Sequence, residues 1–258
     1  MKRLIYLHLD TISNAVLMKG IPLSCFHRSM QQIPDNLLLL NPMADEGEYE
    51  SHTGLKVIRS QGAVQRFMQL TQRHHEIDVQ WIDFNDLHLL KQLTPVEISE
   101  LLYFGHMKTQ LHSPFFYKLQ NDYVVLRLSQ EVNKIYYRHL DNFYRTLSYC
   151  LQTELSQQLS SSRGFFKKNV AVSYPQLEVL RRLRPVFQEG AVLHFDEMRR
   201  DGVDYLIPIY VVEDQVRNIE NLRYQPQMRM ATLIYHAAKQ SWQVQMEEWD
   251  PLINMRSL

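Results

Sequence analysis

No glycine-rich phosphate cradle occurs in this chain, since neither GxxxxGK[ST] nor GxGxxG can be drawn through its eight glycines. A P-loop nucleotide site and a dinucleotide-binding turn are thereby excluded, and no cofactor is expected. The GxSxG elbow that presents a serine nucleophile is missing as well. Only two cysteines are present, Cys25 and Cys150, in separate segments and without CxxC spacing. That argues against a disulfide framework and a thiolate zinc site, and it fits reduced thiols in a cytoplasm. An excess of charge of either sign is lacking too, because 28 Lys and Arg balance 28 Asp and Glu. Long-range attraction of the whole molecule to nucleic acid or to an anionic membrane is therefore unsupported, and any such contact must be local. No run of about eighteen apolar residues is available for a spanning helix. The opening MKRLIYLHLD has the basic start of an export signal, but His8 and Asp10 interrupt it before a hydrophobic region develops. A soluble, cytoplasmic protein without membrane contact is the expectation.

What remains is the balance of an ordinary folded chain. Hydrophobic residues make up 45% and charged residues 22% of 258 positions, with ten prolines. That length suffices for one large domain or two small ones. Short β-type runs come first: KRLIYLHL, IPLSCFHR and NLLLL, followed by an exposed acidic loop carrying Asp45, Glu46, Glu48 and Glu50. LKVI, the helical SQGAVQRFMQLTQRH with Ser60 as cap, and EIDVQWIDF together read as a strand, helix, strand unit. NDLHLLKQL is a short helix. A second helix starts at Thr94, with Pro95 at its first position and Glu97 closing a capping box.

Beyond it, FFYKLQ, DYVVLRL and NKIYYRHL read as a three-stranded meander. A long helix follows from about Asp141 to Leu159, with Phe143, Leu147, Cys150, Leu151, Leu155 and Leu159 on one face. NVAVS reads as a strand and YPQLEVLRRLRPVF as a helix. The strands AVLHF, VDYLIPIYVV, MRMATLIYH and SWQVQMEEW close the pattern, the last two joined as a hairpin across AAKQ. The fold class is α+β, an N-terminal βαβ-containing layer followed by a larger antiparallel-sheet body with packed helices. The expected domain boundary lies between Leu93 and Thr94, giving an α/β domain over 1–93 and an α+β domain over 94–258.

Chemistry-bearing residues concentrate in a few places. His106, His112 and Tyr117 flank a turn at Ser113–Pro114 and are candidates for lining an anion or small-molecule pocket. The six-residue spacing of the two histidines suits no metal geometry, and the simpler reading is a cationic helix end. His74, His75, Glu76 and Asp78 offer metal-ligand types, yet adjacent histidines point about 100° apart on a helix. No metal site is expected. Cys25 and His27, two apart in an expected strand, would share a face. Arg163, Lys167, Lys168, Arg181, Arg182 and Arg184, opposed only by Glu178, form the densest cationic segment. With Phe165 and Phe166 beside them they have the chemistry to hold phosphates and stack a base, although a solvated helix face has the same composition.

The catalytic residues are not identified by this pattern. The reading it favours is a non-catalytic cytosolic binding or regulatory protein that acts through a protein partner or a small ligand. One alternative is a hydrolase or transferase with a His/Asp/Glu site assembled from distant segments. Another is a nucleic-acid-binding protein that uses segment 163–184. The oligomeric state is open.

Overall fold

Short strands, several of them buried along their whole length, alternate with helices along the chain and set the architecture. The computed structural model describes residues 3–41, 44–73, 80–107, 118–129, 131–161, 171–212 and 224–247. In chain order the strands are β1 (Leu4–Asp10), β2 (Ala15–Lys19), β3 (Asn36–Leu39), β4 (Glu48–Glu50), β5 (Leu55–Arg59), β6 (Gln80–Phe84), β7 (Tyr123–Arg127), β8 (Val132–Tyr137), β9 (Ala191–His194), β10 (Arg199–Asp201), β11 (Asp204–Val212), β12 (Tyr224–His236) and β13 (Ser241–Met246). The helices are α1 (Leu23–Ser29), α2 (Gln61–Arg73), α3 (His88–Lys91), α4 (Pro95–Met107), α5 (Leu140–Ser161), α6 (Leu177–Arg181) and α7 (Arg184–Glu189). The fold is α+β, and its strand pairings within each unit are antiparallel.

The chain divides into two compact units, one made of Met1–Leu9 with Leu147–Leu258 and the other of Asp10–Thr146. The expected boundary between Leu93 and Thr94 falls inside the second of these. Its strands run in the order β2, β8, β7, β6, β3, β5, β4. The βαβ unit is present as β5, α2 and β6, with β3 inserted between the two strands and antiparallel to both. β5 and β6 are thus parallel without touching.

Both faces of this sheet are covered, which is why every residue of β6 is buried. On one face Leu38, Val57, Ile82, Phe84, Val124 and Leu126 pack with Leu90, Leu93 and Leu101 from α3 and α4. On the other, Phe26 of α1 lies 5.2 Å from Tyr123 in an edge-to-face pair and 6.3 Å from Trp81. Val64, Phe67 and Met68 of α2 are buried as its periodicity requires, while Leu70, expected on the same stripe, is exposed. α4 begins with the expected capping box: the Thr94 N–H donates to Glu97 Oε2 at 2.7 Å and the Glu97 N–H to Thr94 Oγ1 at 3.3 Å. The Thr94 N–H, with the Lys118 ammonium 3.5 Å away, holds the Glu97 carboxyl below its ordinary value.

In the first unit the order is β13, β12, β11, β9, β1, with β10 pairing β11. Ala231, Leu233 and Tyr235 of β12 share a buried face with Trp242 and Val244 of β13 and Ile207 and Ile209 of β11. The long helix buries the apolar stripe read from the sequence, Leu147, Cys150, Leu151, Leu155 and Leu159 in this unit and Phe143 in the other. Among the described residues, no helix is long and apolar enough to cross a membrane.

Four expectations are corrected. IPLSCFHR holds a helix, not a strand: extended Pro22 precedes its first turn, and Leu23 and Phe26 sit one helical turn apart and are both buried. Of FFYKLQ, Lys118 and Leu119 are helical, so the meander keeps the hairpin β7 and β8. The described part of NVAVS, residues 171–173, is not a strand. The helix expected over YPQLEVLRRLRPVF is two, interrupted at Arg182 and Leu183, and Pro185 sits in the first turn of the second, where a missing N–H leaves no helical bond unmade.

Replacing Thr94 with Ala removes the hydroxyl half of the capping box. Unfolding in urea is expected to show a loss of about 1 kcal/mol, and an unchanged midpoint would mean the box contributes nothing to stability.

Candidate functional site

The last strand of the first unit's sheet is the feature with the most open chemistry. β12 and β13 form a hairpin over Ala237–Gln240, where Gln240 takes a left-handed φ of +49° to close the turn. Their register runs without a break from Ala231 opposite Met246 to His236 opposite Ser241. Just past the strand, the Glu247 N–H donates to the Met230 carbonyl at 3.0 Å. In an antiparallel ladder each residue points its N–H and C=O to the same side, and successive residues alternate. Ser241, Gln243 and Gln245 therefore bond to β12, while Trp242, Val244 and Met246 turn their backbone groups outward. Among the described residues β12 is the only strand beside β13.

The side chains of this strand are ordered from within. Trp242 donates its indole N–H to the Ser173 carbonyl at 2.8 Å and packs 5.0 Å from the Tyr235 ring. Val244 is buried and Met246 is 39% exposed on the same face. On the opposite face Gln243 meets His236 Nε2 at 3.1 Å, and His236 Nδ1 meets Asp204 at 2.8 Å, tying three strands together. Glu247 is folded back onto Arg229 at 2.8 Å and accepts from the Thr232 hydroxyl, so its carboxylate is matched on β12. No residue from Ser241 to Met246 is charged, and none is proline.

β4, which ends the other unit's strand order, is built differently. It is three residues long, two of them acidic, with Glu48 facing Arg59 at 3.5 Å. Gly47 leads into it at φ +87°, where a Cβ would sit 3.1 Å from the Val57 carbonyl oxygen. Short length, charge and a glycine kink are the usual protections of an exposed strand edge.

The residues singled out from the sequence fall unevenly. His112 and Tyr117 lie outside the described residues, as do His74, His75, Glu76, Asp78, Arg163, Lys167 and Lys168. His106 is in the last turn of α4. Arg181, Arg182 and Arg184 are exposed, and Arg181 pairs with Glu178 at 3.3 Å. Cys25 and His27 sit on a helix, two positions apart, so they point about 200° from one another. Both cysteines are buried and neither is in a disulfide. Among the described residues no group of three or more His, Cys, Asp or Glu is placed to hold a metal ion.

Sequence reasoning missed two polar clusters. In the first, buried His194 on β9 has Nε2 3.7 Å from Glu197 Oε1, and the Tyr210 hydroxyl donates to Glu197 Oε2 at 2.6 Å. This joins the short turn after β9 to β11 and gives a carboxylate between an imidazole and a phenol. The alternation of AVLHF with IPIYVV was the available signal, since Ile209 opposite Leu193 carries His194 and Tyr210 to the other face.

The second is Asp83 on β6, buried beside the aromatic layer. Its carboxylate accepts the Tyr123 N–H at 2.6 Å and the Asp122 N–H at 3.0 Å, fixing the start of β7. Burial nevertheless outweighs those bonds and pushes its pKa up to about 7. His27, in contact with the same layer through Phe26 at 5.6 Å, moves the other way. Burial, assisted by the charge of Arg127, lowers its pKa to about 4, and the Gln72 amide lies 3.0 Å from its Nδ1.

The two shifts act on stability with opposite sign. Between pH 3.8 and about 7 folded Asp83 holds a proton that the unfolded chain has lost, so its contribution declines as pH rises. Between pH 6.5 and about 4 folded His27 lacks a proton that the unfolded chain holds, so its contribution declines as pH falls. Each slope is at most about 1.4 kcal/mol per pH unit. Asp83→Asn should therefore lose stability on acidification through this window, and His27→Gln should gain it, relative to the parent chain. Urea midpoints measured across the window test this; parallel profiles for all three proteins would refute it.

Compared with protein-family models, with curated proteins and with solved structures, the chain matches none of them.

Proposed function

We propose that this chain is a non-catalytic cytosolic binding protein that takes up an extended segment of a protein partner along the outward edge of β13. The observation that carries this reading is the contrast between the two terminal strands. β4 has the short length and charges that discourage pairing, whereas β13 offers outward backbone groups at Trp242, Val244 and Met246 with no charge or proline among its six residues. A strand added there gains main-chain hydrogen bonds, and its side chains are read by the two faces of the edge. The face of Val244 and Met246 selects an apolar residue, and that of Gln243 and Gln245 a polar one. Two buried cysteines, Cys25 and Cys150, that form no disulfide suit a reducing compartment.

Val244→Pro is the informative substitution, because the lost N–H points away from β12 and the hairpin ladder is kept. Gln245→Lys adds the type of charge that guards natural edges. Immobilised full-length chain should retain a specific protein from an extract of the cells that make it. Both substitutions should reduce that retention about tenfold or more; Gln245→Lys, at an exposed side chain, should leave thermal unfolding little changed, whereas Val244→Pro also removes a buried side chain and should lower it. Retention unaffected by either change, or no retention at all, would overturn the reading.

A further inference from the structure

Resting on the strand-addition reading, we infer that the segment taken up by β13 is β13 of a second copy, paired antiparallel about a two-fold axis through Val244. The argument is one of register. Outward backbone groups occur at Trp242, Val244 and Met246. An antiparallel pair gains its bonds only where outward residues of both strands stand opposite one another. With the axis at Val244, Val244 faces its own copy and Trp242 faces Met246 of the other chain. Every outward residue then exchanges hydrogen bonds. A shift of the pairing by one residue would set outward groups against residues that bond to β12, and a shift by two would leave one end unmatched.

Side chains agree with the same axis. Met246, exposed although it shares the face of buried Trp242 and Val244, comes to lie opposite the second copy's Trp242, which covers it with apolar surface. On the other face Gln243 stands opposite Gln245, so two amides with donors and acceptors meet twice about the axis. The Gln243 side chain is already steered by His236 at 3.1 Å. Self-repulsion is absent at long range because the net charge is zero. Nearby, Glu247 is neutralised by Arg229 of its own chain. A C2 arrangement is also the commonest closed assembly of identical chains.

The test uses the purified full-length chain over a concentration series, with mass read by light scattering and sedimentation. The expected result is a reversible dimer. Val244→Pro should raise its dissociation constant about tenfold or more. The paired substitution Gln243→Lys with Gln245→Lys sets like charges opposite each other and should give monomers, as should Gln243→Glu with Gln245→Glu. Mixing these two variants should restore dimers containing one of each, because lysine then faces glutamate. A dimer indifferent to Val244→Pro, or a mixture of the charged variants that stays monomeric, overturns the inference. A wild-type monomer at every concentration also overturns it. If such a monomer still retains another protein in a manner sensitive to Val244→Pro, strand addition stands and only the identity of the second strand is wrong.

Discussion

Each residue of an antiparallel strand turns its N–H and C=O to one side, so a strand inside a sheet satisfies both sides and a terminal strand satisfies one. Most of this molecule follows from how that constraint is met. In the Asp10–Thr146 unit, the inserted β3 bonds to β5 on one side and β6 on the other, and the order closes on three residues guarded by glutamates. In the other unit the order ends on an uncharged strand whose tryptophan is anchored by Ser173 and whose outer amides are evenly spaced. The hairpin turn, the Arg229 to Glu247 pair and the His236 bridge all tie that strand to β12, and none of them lies on its outward side.

The aromatic layer of the Asp10–Thr146 unit shows how the same constraint reaches the interior. Tyr123 and Asp122 begin β7 by giving their N–H groups to Asp83, a side chain, where a neighbouring strand would otherwise take them. The carboxylate that does this must be buried among Phe26, Trp81 and Tyr123, which is costly for a charge. Burial of His27 against the same layer imposes the reverse preference. Where the two windows overlap, the two demands act on stability in opposite directions.

Much of this was legible beforehand. Short apolar and β-rich runs located β1, β3, β5, β11, β12 and β13, and the long helix declared its buried stripe from Phe143 to Leu159. Thr94, Pro95 and Glu97 announced a helix start because capping is local chemistry. Failures came where local and tertiary signals compete. Seven residues from Leu23 to Ser29 are too few for periodicity to separate helix from strand, and a single proline decided the matter. The interrupted α6 and α7 share one apolar stripe, so pattern alone ran them together. Sites were harder still. His194 and Tyr210 meet through strand register, and Asp83 meets Tyr123 across a sheet. Nothing in the spacing of a linear chain records which strand will stand last, so the open edge of β13 was invisible too.

The first unit is discontinuous, and this has a bearing on synthesis. Leu4 pairs with His194 and Leu7 with Ala191, so β1 leaves the ribosome long before the strand that holds it. The whole of Asp10–Thr146 is made in the interval and is contiguous, which lets it complete its own sheet first. Until β9 arrives, Leu4–Leu7 lack the antiparallel partner they have in the folded unit. Vectorial assembly therefore places the long-range closure of β1 on β9 among the last steps, and with it the ordering of the sheet that carries β13.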